Sequence, residues 1–363
     1  MAGEEKKAIS SRSKLEDVAR VAGVSLATAS RAINHPHIVS EQIRERVARA
    51  TQILSYSPHQ GARFLSSGRS YTIGAVIPTL RISVIALGVE AIQERIGQHG
   101  YTLLLAFSQY DPAKEAQHIR ALASQGVDGL ILVGDTLDSD AISQVRSLGI
   151  PMLTTYVCHS SNGLATVGFD NGEGSEQIVE HLLQLGHREF GIITNSRLAN
   201  DRAIARRDGA LAALAKRGIT LAPRRIIDVN FPAIGEGRIA FAELLSAYPE
   251  TTAVICTADA LAIGAMMEAT RLGLRVPDDI SVSGYDDMDF AAFTQPALTS
   301  VHVPAQQIGE IAANSMISAI EENRPPASSK LFAELIVRES TGPVRKRARR
   351  SGTAKPSRAL QTG

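Results

Sequence analysis

From Tyr71 onward, apolar β-rich runs alternate with amphipathic helical segments, and this alternation constrains the chain more than any other feature. Candidate strands are 71–77, 101–107, 129–134, 151–157, 166–169, 189–194, 226–230, 253–257 and 280–285. Helices fit between most of them, for example 86–98, 113–125, 173–185, 203–217, 235–247 and 260–272. Strands that are apolar almost throughout must be covered on both faces, which points to a doubly wound parallel sheet. So many strands exceed one comfortable sheet, so two α/β lobes are expected.

The segment before Tyr71 has a different period. Leu15, Val18, Ala19 and Ala22 recur at i, i+3, i+4, i+7 and share one helical face. Gly23 suits the left-handed position that ends such a helix. Ser25 then fits as N-cap of a second helix, 26–34. A third helix runs from after Ser40 to about Leu54, with Ile43, Val47, Ala50 and Leu54 on its apolar face. In the second helix Ala29 and Ile33 turn inward, while Ala27, Ser30, Arg31 and Asn34 share the outward face. A small face carrying a hydroxyl, a guanidinium and an amide can enter a DNA major groove and meet base edges. Ser25 at its N-terminus can meet a phosphate. A small helical bundle with an incidental polar face remains open at this point. Residues 57–61 (SPHQG) break the pattern, and 61–70 (GARFLSSGRS) read as a short helix followed by a Gly/Ser linker, which sets a domain boundary.

Charge is distributed unevenly. Residues 1–70 hold eleven Lys/Arg and six Asp/Glu, and residues 343–363 hold seven Lys/Arg and no acid. With a whole-chain charge of +1, the body between them carries −11. Basic ends around an acidic body point either to a polyanionic partner at one or both ends or to solvated faces plus a disordered tail, and charge alone does not choose between them. The two cysteines, Cys158 and Cys256, imply no disulfide framework and lack zinc-ligand spacing. No apolar run approaches the ~18 residues that a membrane span needs, and residues 1–14 show no secretory signal. Residues 1–13 and 341–363 are polar, without periodicity, and are expected to be disordered.

Residues 15–34, LEDVARVAGVSLATASRAIN, resemble the headpiece signature of the LacI/GalR family of bacterial repressors, L-x-D-V-A-x-x-A-G-V-S-x-x-T-V-S-R-x-x-N. Only Ala29 departs from it, where valine is usual. The similarity continues through Val39-Ser40, Tyr56-x-Pro58, Ala62-Arg63-x-Leu65 and Ile73-Gly74. It resumes at residues 126–131 (GVDGLI), Leu185-Gly186-His187-Arg188, Ala258-Asp259-x-x-Ala262-x-Gly264 and Gly284-Tyr285-Asp286-Asp287. In all it spans about 15–340.

The resemblance implies a multidomain chain: an all-α helix-turn-helix headpiece (14–60), a hinge helix and linker (61–70), and a two-lobed α/β body like the type I periplasmic binding proteins (71–340). Lobe crossovers are expected near 170, 300 and 331. It implies a cytoplasmic, nucleoid-associated bacterial transcription regulator, a repressor, acting as a homodimer or higher assembly on a pseudo-palindromic duplex operator. A small-molecule effector, a sugar or sugar acid, would control it. Expected DNA contacts are Ser25, Leu26, Ala27, Thr28, Ser30, Arg31, Asn34, Ser40, Tyr56, His59, Arg63 and Leu65. Leu26 and Ala27 would discriminate operators through methyl contacts, and Leu65 would wedge into the minor groove. Expected effector contacts are Tyr156, Phe169, Asp170, Arg206, Phe231 and Asp259. Arg206 and Asp259 would clamp hydroxyls or a carboxylate, and Phe231 would stack on the ligand. No cofactor, metal or catalytic group is expected, and no enzyme. The loop after Pro78 departs from the family: it is about three residues short and lacks two usual phenylalanines, so the ligand cannot be borrowed from a relative.

Weaker motifs stand aside. Residues 235–240 read G-x-G-x-x-A, but late in the chain and after a poor strand lead. His35-Pro-His37 lacks further ligands in register. The RKRARR run at 345–350 could touch DNA non-specifically or be solvated. A solute-binding protein and a nicotinamide-linked oxidoreductase are the competing classes; the headpiece argues against the first, and the absence of an early fingerprint against the second.

Overall fold

The computed structural model describes residues 13–34, 38–56, 69–196 and 200–345. The chain divides into two compact units between Tyr71 and Thr72.

The first unit holds α1 (Leu15–Ala22), α2 (Leu26–Asn34) and α3 (Glu41–Ile53). Its core is Val18, Ala22, Ala32, Val47 and Ala50, with Val24, Ile33, Val39, Ile43, Leu54 and Tyr56 packed against it. Gly23 takes the left-handed conformation (φ 62°) and its N–H donates to the carbonyls of Ala19 and Arg20, closing α1. Arg46 of α3 reaches back to the carbonyls of Ala22 and Gly23, at 2.6 and 2.9 Å. It thereby satisfies helix-end acceptors that would otherwise need water. Ser13, read from sequence as the end of a disordered lead, donates to the Leu54 carbonyl at 2.9 Å.

In the second unit the elements are β1 (Thr72–Ile77), α4 (Ser83–Gln98), β2 (Thr102–Phe107), α5 (Pro112–Ser124), β3 (Gly129–Val133), α6 (Ser139–Ser147), β4 (Met152–Thr155) and β5 (Ala165–Gly168). There follow α7 (Asn171–Gln184), β6 (Phe190–Thr194), α8 (Asp201–Lys216), β7 (Ile226–Asp228), α9 (Ile234–Ala247), β8 (Ala253–Cys256), α10 (Asp259–Arg271) and β9 (Ser281–Asp286). Last come β10 (Thr299–His302), α11 (Ala305–Glu322), β11 (Ser329–Lys330) and β12 (Glu334–Ile336).

The strands form two six-stranded sheets, ordered β11-β5-β4-β3-β1-β2 and β12-β10-β9-β8-β6-β7. All pairs are parallel except β10 with β12. The chain leaves the first sheet after β5, returns after β10 with α11 packed on α4, β3, β4 and β5, and passes over again between β11 and β12. Each lobe has its own apolar core. Val76, Ile119, Leu130, Leu132 and Ile142 anchor the first; Ile193, Phe241, Leu244, Val254 and Leu261 anchor the second.

Helix pairing in the body depends on close approach at glycine. A side chain at Gly309 of α11 would strike the Gly88 carbonyl of α4, and one at Gly209 of α8 would lie 2.5 Å from the Gly172 Cα of α7. Gly is required there because any Cβ would force the backbones apart. The chain end departs from expectation. Residues 341–345, read as disordered, are placed on the body: Gly342 accepts from buried His187, and the Val344 N–H donates to the Leu185 carbonyl. Among the described residues no helix is long and apolar enough to cross a membrane.

Candidate DNA-reading helix and effector cleft

The periodicity of α2 sorts its residues by direction. Ala29 and Ala32 are buried, whereas Leu26, Ala27 and Arg31 are exposed and Thr28 and Ser30 half-exposed. Ser25 caps the helix: its hydroxyl accepts from the Thr28 N–H at 3.1 Å and lies 2.8 Å from the Thr28 hydroxyl. This leaves a narrow surface of short side chains with one guanidinium, and Leu26 is 47% exposed at its leading edge. Leu26 is therefore open to a contact from outside the unit. Ser40 stands at the N-cap of α3 without a side-chain cap bond. Tyr56 packs against the headpiece core. Asn34 ends α2, but its side chain is not described. His59, Arg63, Leu65, the rest of the hinge at 61–68, the histidines at 35 and 37, and the basic run from 346 onward lie outside the described residues.

In the body, the C-terminal ends of the parallel strands of both lobes face one cleft, as expected for ligand sites in open α/β sheets. Its cavity is lined by Ile82, Val84, Ile85, Tyr110, Tyr156, Asn195, Asn200, Arg202, Ala203, Arg206, Pro232, Thr257, Ala258 and Asp286. The cavity is about 30 Å³, room for roughly two waters. Backbone strain concentrates around it. Tyr110, Tyr156 and Asp286 carry φ of 62°, 64° and 112°, rare for residues with a side chain.

Arg206 is the hub of the cleft floor. Its Nε donates to Asn171 Oδ1 at 2.9 Å, and its Nη1 donates to the Thr257 carbonyl at 3.0 Å and to Asp286 Oδ1 at 2.8 Å. Its flat face lies 3.8 Å from the Tyr285 ring centroid. Asn171 in turn donates to the Tyr156 carbonyl at 2.9 Å, so an unbroken relay joins the two lobes at the first crossover. Tyr156 donates its hydroxyl to the Val84 carbonyl at 2.6 Å, and burial pushes its ionisation upward. Burial likewise raises Asp286, with the facing Arg206 pulling the other way.

Four expected effector residues are placed otherwise. Asp259 does not line the cavity. It is fully buried, accepting from the Met288 N–H at 2.7 Å and the Ser300 hydroxyl at 2.5 Å. Burial, with repulsion from Asp286, lifts its carboxyl to about 8. Nor is it an N-cap: Ala258 holds that position and Asp259 is the first helical residue. Phe169 is 1% exposed and belongs to the core. Asp170 caps α7, accepting from the N–H groups of Gly172 and Glu173. Phe231 does not line the cavity but lies beside it, under the guanidinium of Arg81 at 4.2 Å. That arginine comes from the shortened loop after Pro78.

The sequence reading missed Arg202, Tyr110, Asn171 and Asp286. Asp286 had a signal: it ends a strand in the Gly284-Tyr285-Asp286-Asp287 motif, where ligands collect. Among the described residues, no group of three or more His, Cys, Asp or Glu could hold a metal ion.

Residues 14–59 match the family model of bacterial regulatory proteins, lacI family, and residues 179–341 match that of the periplasmic binding protein-like domain. The chain is 32% identical over 309 residues to the HTH-type transcriptional regulator GntR of Escherichia coli K12, covering 85% of this chain and 92% of that one. The chain belongs to the lacI family. It is a DNA-binding transcriptional regulator of that family, with a helix-turn-helix unit and a periplasmic-binding-protein-like body. A second relative is the HTH-type transcriptional repressor PurR of Erwinia tasmaniensis, 33% identical over 336 residues, covering 91% and 98% of the two chains. Among solved structures of similar fold is the Lac repressor dimer bound to operator and an anti-inducer. It has a TM-score of 0.81 and 27% identity, covering 92% of this chain and all of that one. Another is the CelR–cellobiose complex, with a TM-score of 0.66 and 28% identity, covering 91% and 100%.

Proposed function

We propose that this lacI-family chain represses transcription as a homodimer on a pseudo-palindromic duplex operator, under the control of a sugar or sugar acid bound between the lobes. The observation that carries the DNA half is the one-sided exposure of α2: Leu26, Ala27 and Arg31 face outward while Ala29 and Ala32 are buried. Apolar Leu26 and Ala27 favour thymine methyls, and Arg31 and Asn34 supply polar contacts. Residues 61–70 act as the hinge, with Leu65 as wedge. The chain acts by binding and not by turnover, in the cytoplasm.

The effector half rests on the cleft. Arg206 and Asp286, with Asn195, Asn200 and Tyr110 nearby, offer charge-assisted and neutral hydrogen bonds to a polyol or its acid. A cavity this small excludes a hexose, so effector binding requires the lobes to part. The effector then acts through its different affinities for the two lobe arrangements.

The test is selection of genomic fragments with the purified protein, then a metabolite screen on the recovered operator. Equal affinity for selected and random duplexes overturns the DNA reading. A selected operator whose binding no sugar or sugar acid alters overturns the effector reading.

A further inference from the structure

The first turn of α8 does something that neither the headpiece nor the Arg206 site requires: it reaches across the cleft. Arg202 lies on this turn, in the second lobe, and is 7% exposed. Its side chain lines the cleft cavity and also a small pocket in the first lobe bounded by Pro78, Ser108, Tyr110, Glu115, Val133 and Thr136. Tyr110 hydrogen-bonds to it there.

Its neighbour Asp201 crosses too. One carboxylate oxygen pairs with Arg202 Nη1 at 2.8 Å, and the other accepts from the backbone N–H of Asp135 in the first lobe. Asp135 is anchored in turn, its carboxylate accepting from the Ser161 N–H at 2.8 Å. Gly134 is the third component. A side chain there would strike the Arg202 guanidinium and lie 2.7 Å from Asp201 Oδ1, and its φ of 87° is one a glycine tolerates. A glycine and a strained tyrosine of the first lobe thus converge on one ion-paired side chain of the second.

We propose that Asp201 and Arg202 form a clasp that holds the two lobes together across the cleft, so that an effector must draw Arg202 out of its first-lobe socket before it can enter. Two features support this. The clasp joins the lobes directly, through the Asp135 N–H on Asp201 and the seating of Arg202 against Tyr110 and Glu115. Also, the cross-lobe bonds come from the turn that begins the same helix that carries Arg206, so withdrawal of Arg202 and rearrangement of the ligand site are mechanically linked. A binding-competent state populated only in part lowers apparent effector affinity by that fraction. The clasp therefore sets the effector concentration at which the regulator responds. It requires no particular effector and no particular operator.

Amide hydrogen exchange on the full-length, ligand-free protein tests it, because the Asp135 N–H is itself a cross-lobe bond. In Arg202→Gln that amide should exchange at least tenfold faster than in wild type, while amides of β8 in the second-lobe core keep their rates. Arg202→Lys, which keeps the charge but not the planar fork, should fall between the two. Equal Asp135 exchange in all three proteins overturns the clasp. So does a rise in Arg202→Gln that β8 shares in equal measure while Arg202→Lys stays at the wild-type rate, since that describes general loosening. Neither result bears on operator binding, which is measured separately.

Discussion

The α2 face and the cleft floor each place an arginine among small polar groups, but they hold it differently. Arg31 is exposed on a helix whose other side is packed. Arg206 is buried, and its Nε and Nη1 already hold Asn171, Thr257 and Asp286. The first arrangement waits for a partner from outside, and water fills its place until then. The second is already tied to three groups of the fold, so a ligand meets a side chain whose position is fixed in advance. Loss of a DNA contact should therefore cost the fold little, whereas loss of the cleft arginine should strand the buried groups it holds.

That difference is most exposed by salt. Operator binding by two headpiece segments, each with eleven Lys/Arg against six Asp/Glu, should weaken ~10³–10⁵-fold between 50 and 200 mM salt through counterion release. Fluorescence anisotropy titrations read this directly. The melting temperature of the body should move little over the same range, its central ion pair being shielded by burial.

Substitution of the two arginines should separate them next. Arg206→Ala strands Asp286 in the interior and should cost ~3–5 kcal/mol of body stability by denaturant unfolding. Arg31→Ala should stay within ~0.5 kcal/mol of wild type in stability, yet reduce operator affinity. Comparable stability losses in the two variants would erase the distinction drawn between the sites.

Asp259 sharpens the same contrast through pH. Its folded-state value of about 8 lies above the unfolded one of ~3.9. Between those values the folded protein binds more protons than the unfolded chain. Stability should therefore fall as pH rises from about 4 to 8, and level off above that. Asp259→Asn keeps an acceptor and removes the charge, so its stability should decline less, by up to ~1.4 kcal/mol per pH unit. Parallel pH profiles for the two proteins would show that the carboxyl is ionised throughout.

A further effect is expected in the headpiece. Gly23→Ala must hold a left-handed conformation and displace Arg46, whose Nη2 lies 2.7 Å from where a Cβ would sit. A cost of ~1–2 kcal/mol in headpiece stability is expected from the backbone alone. Near-ultraviolet and far-ultraviolet melts, with the body transition unchanged, would place the loss correctly.

Much of this architecture was legible in the residues. The three headpiece helices, Gly23 as helix stop, Ser25 as cap and the inward Ala29 all follow from spacing within one or two turns. The strands from 72 to 286 follow from apolar runs between breakers. What escaped were α6, with its mixed surface, and the late elements β10, α11, β11 and β12. Their short or Ala-rich runs carry weak local signals, and they gain their apolar partners from distant segments: α11 packs on α4 and on strands of the first sheet.

The cleft divides along the same line. That Arg206 lies at the site was accessible through a resemblance read along the chain. That Asp259 turns away from it was not, because its partners Met288 and Ser300 are 29 and 41 positions distant. Arg202 gave no local sign of its role either, since its socket is built from Tyr110, Glu115 and Gly134 of the other lobe. Sequence by itself determined which segments become helices and strands and which side of α2 faces outward, because those depend on periods of two and 3.6 residues. Tertiary structure alone decided which charged groups line the cleft, which are sealed beneath it and which cross it, because a buried charge is placed by the partners that neutralise it, and those arrive only when the lobes have folded and met.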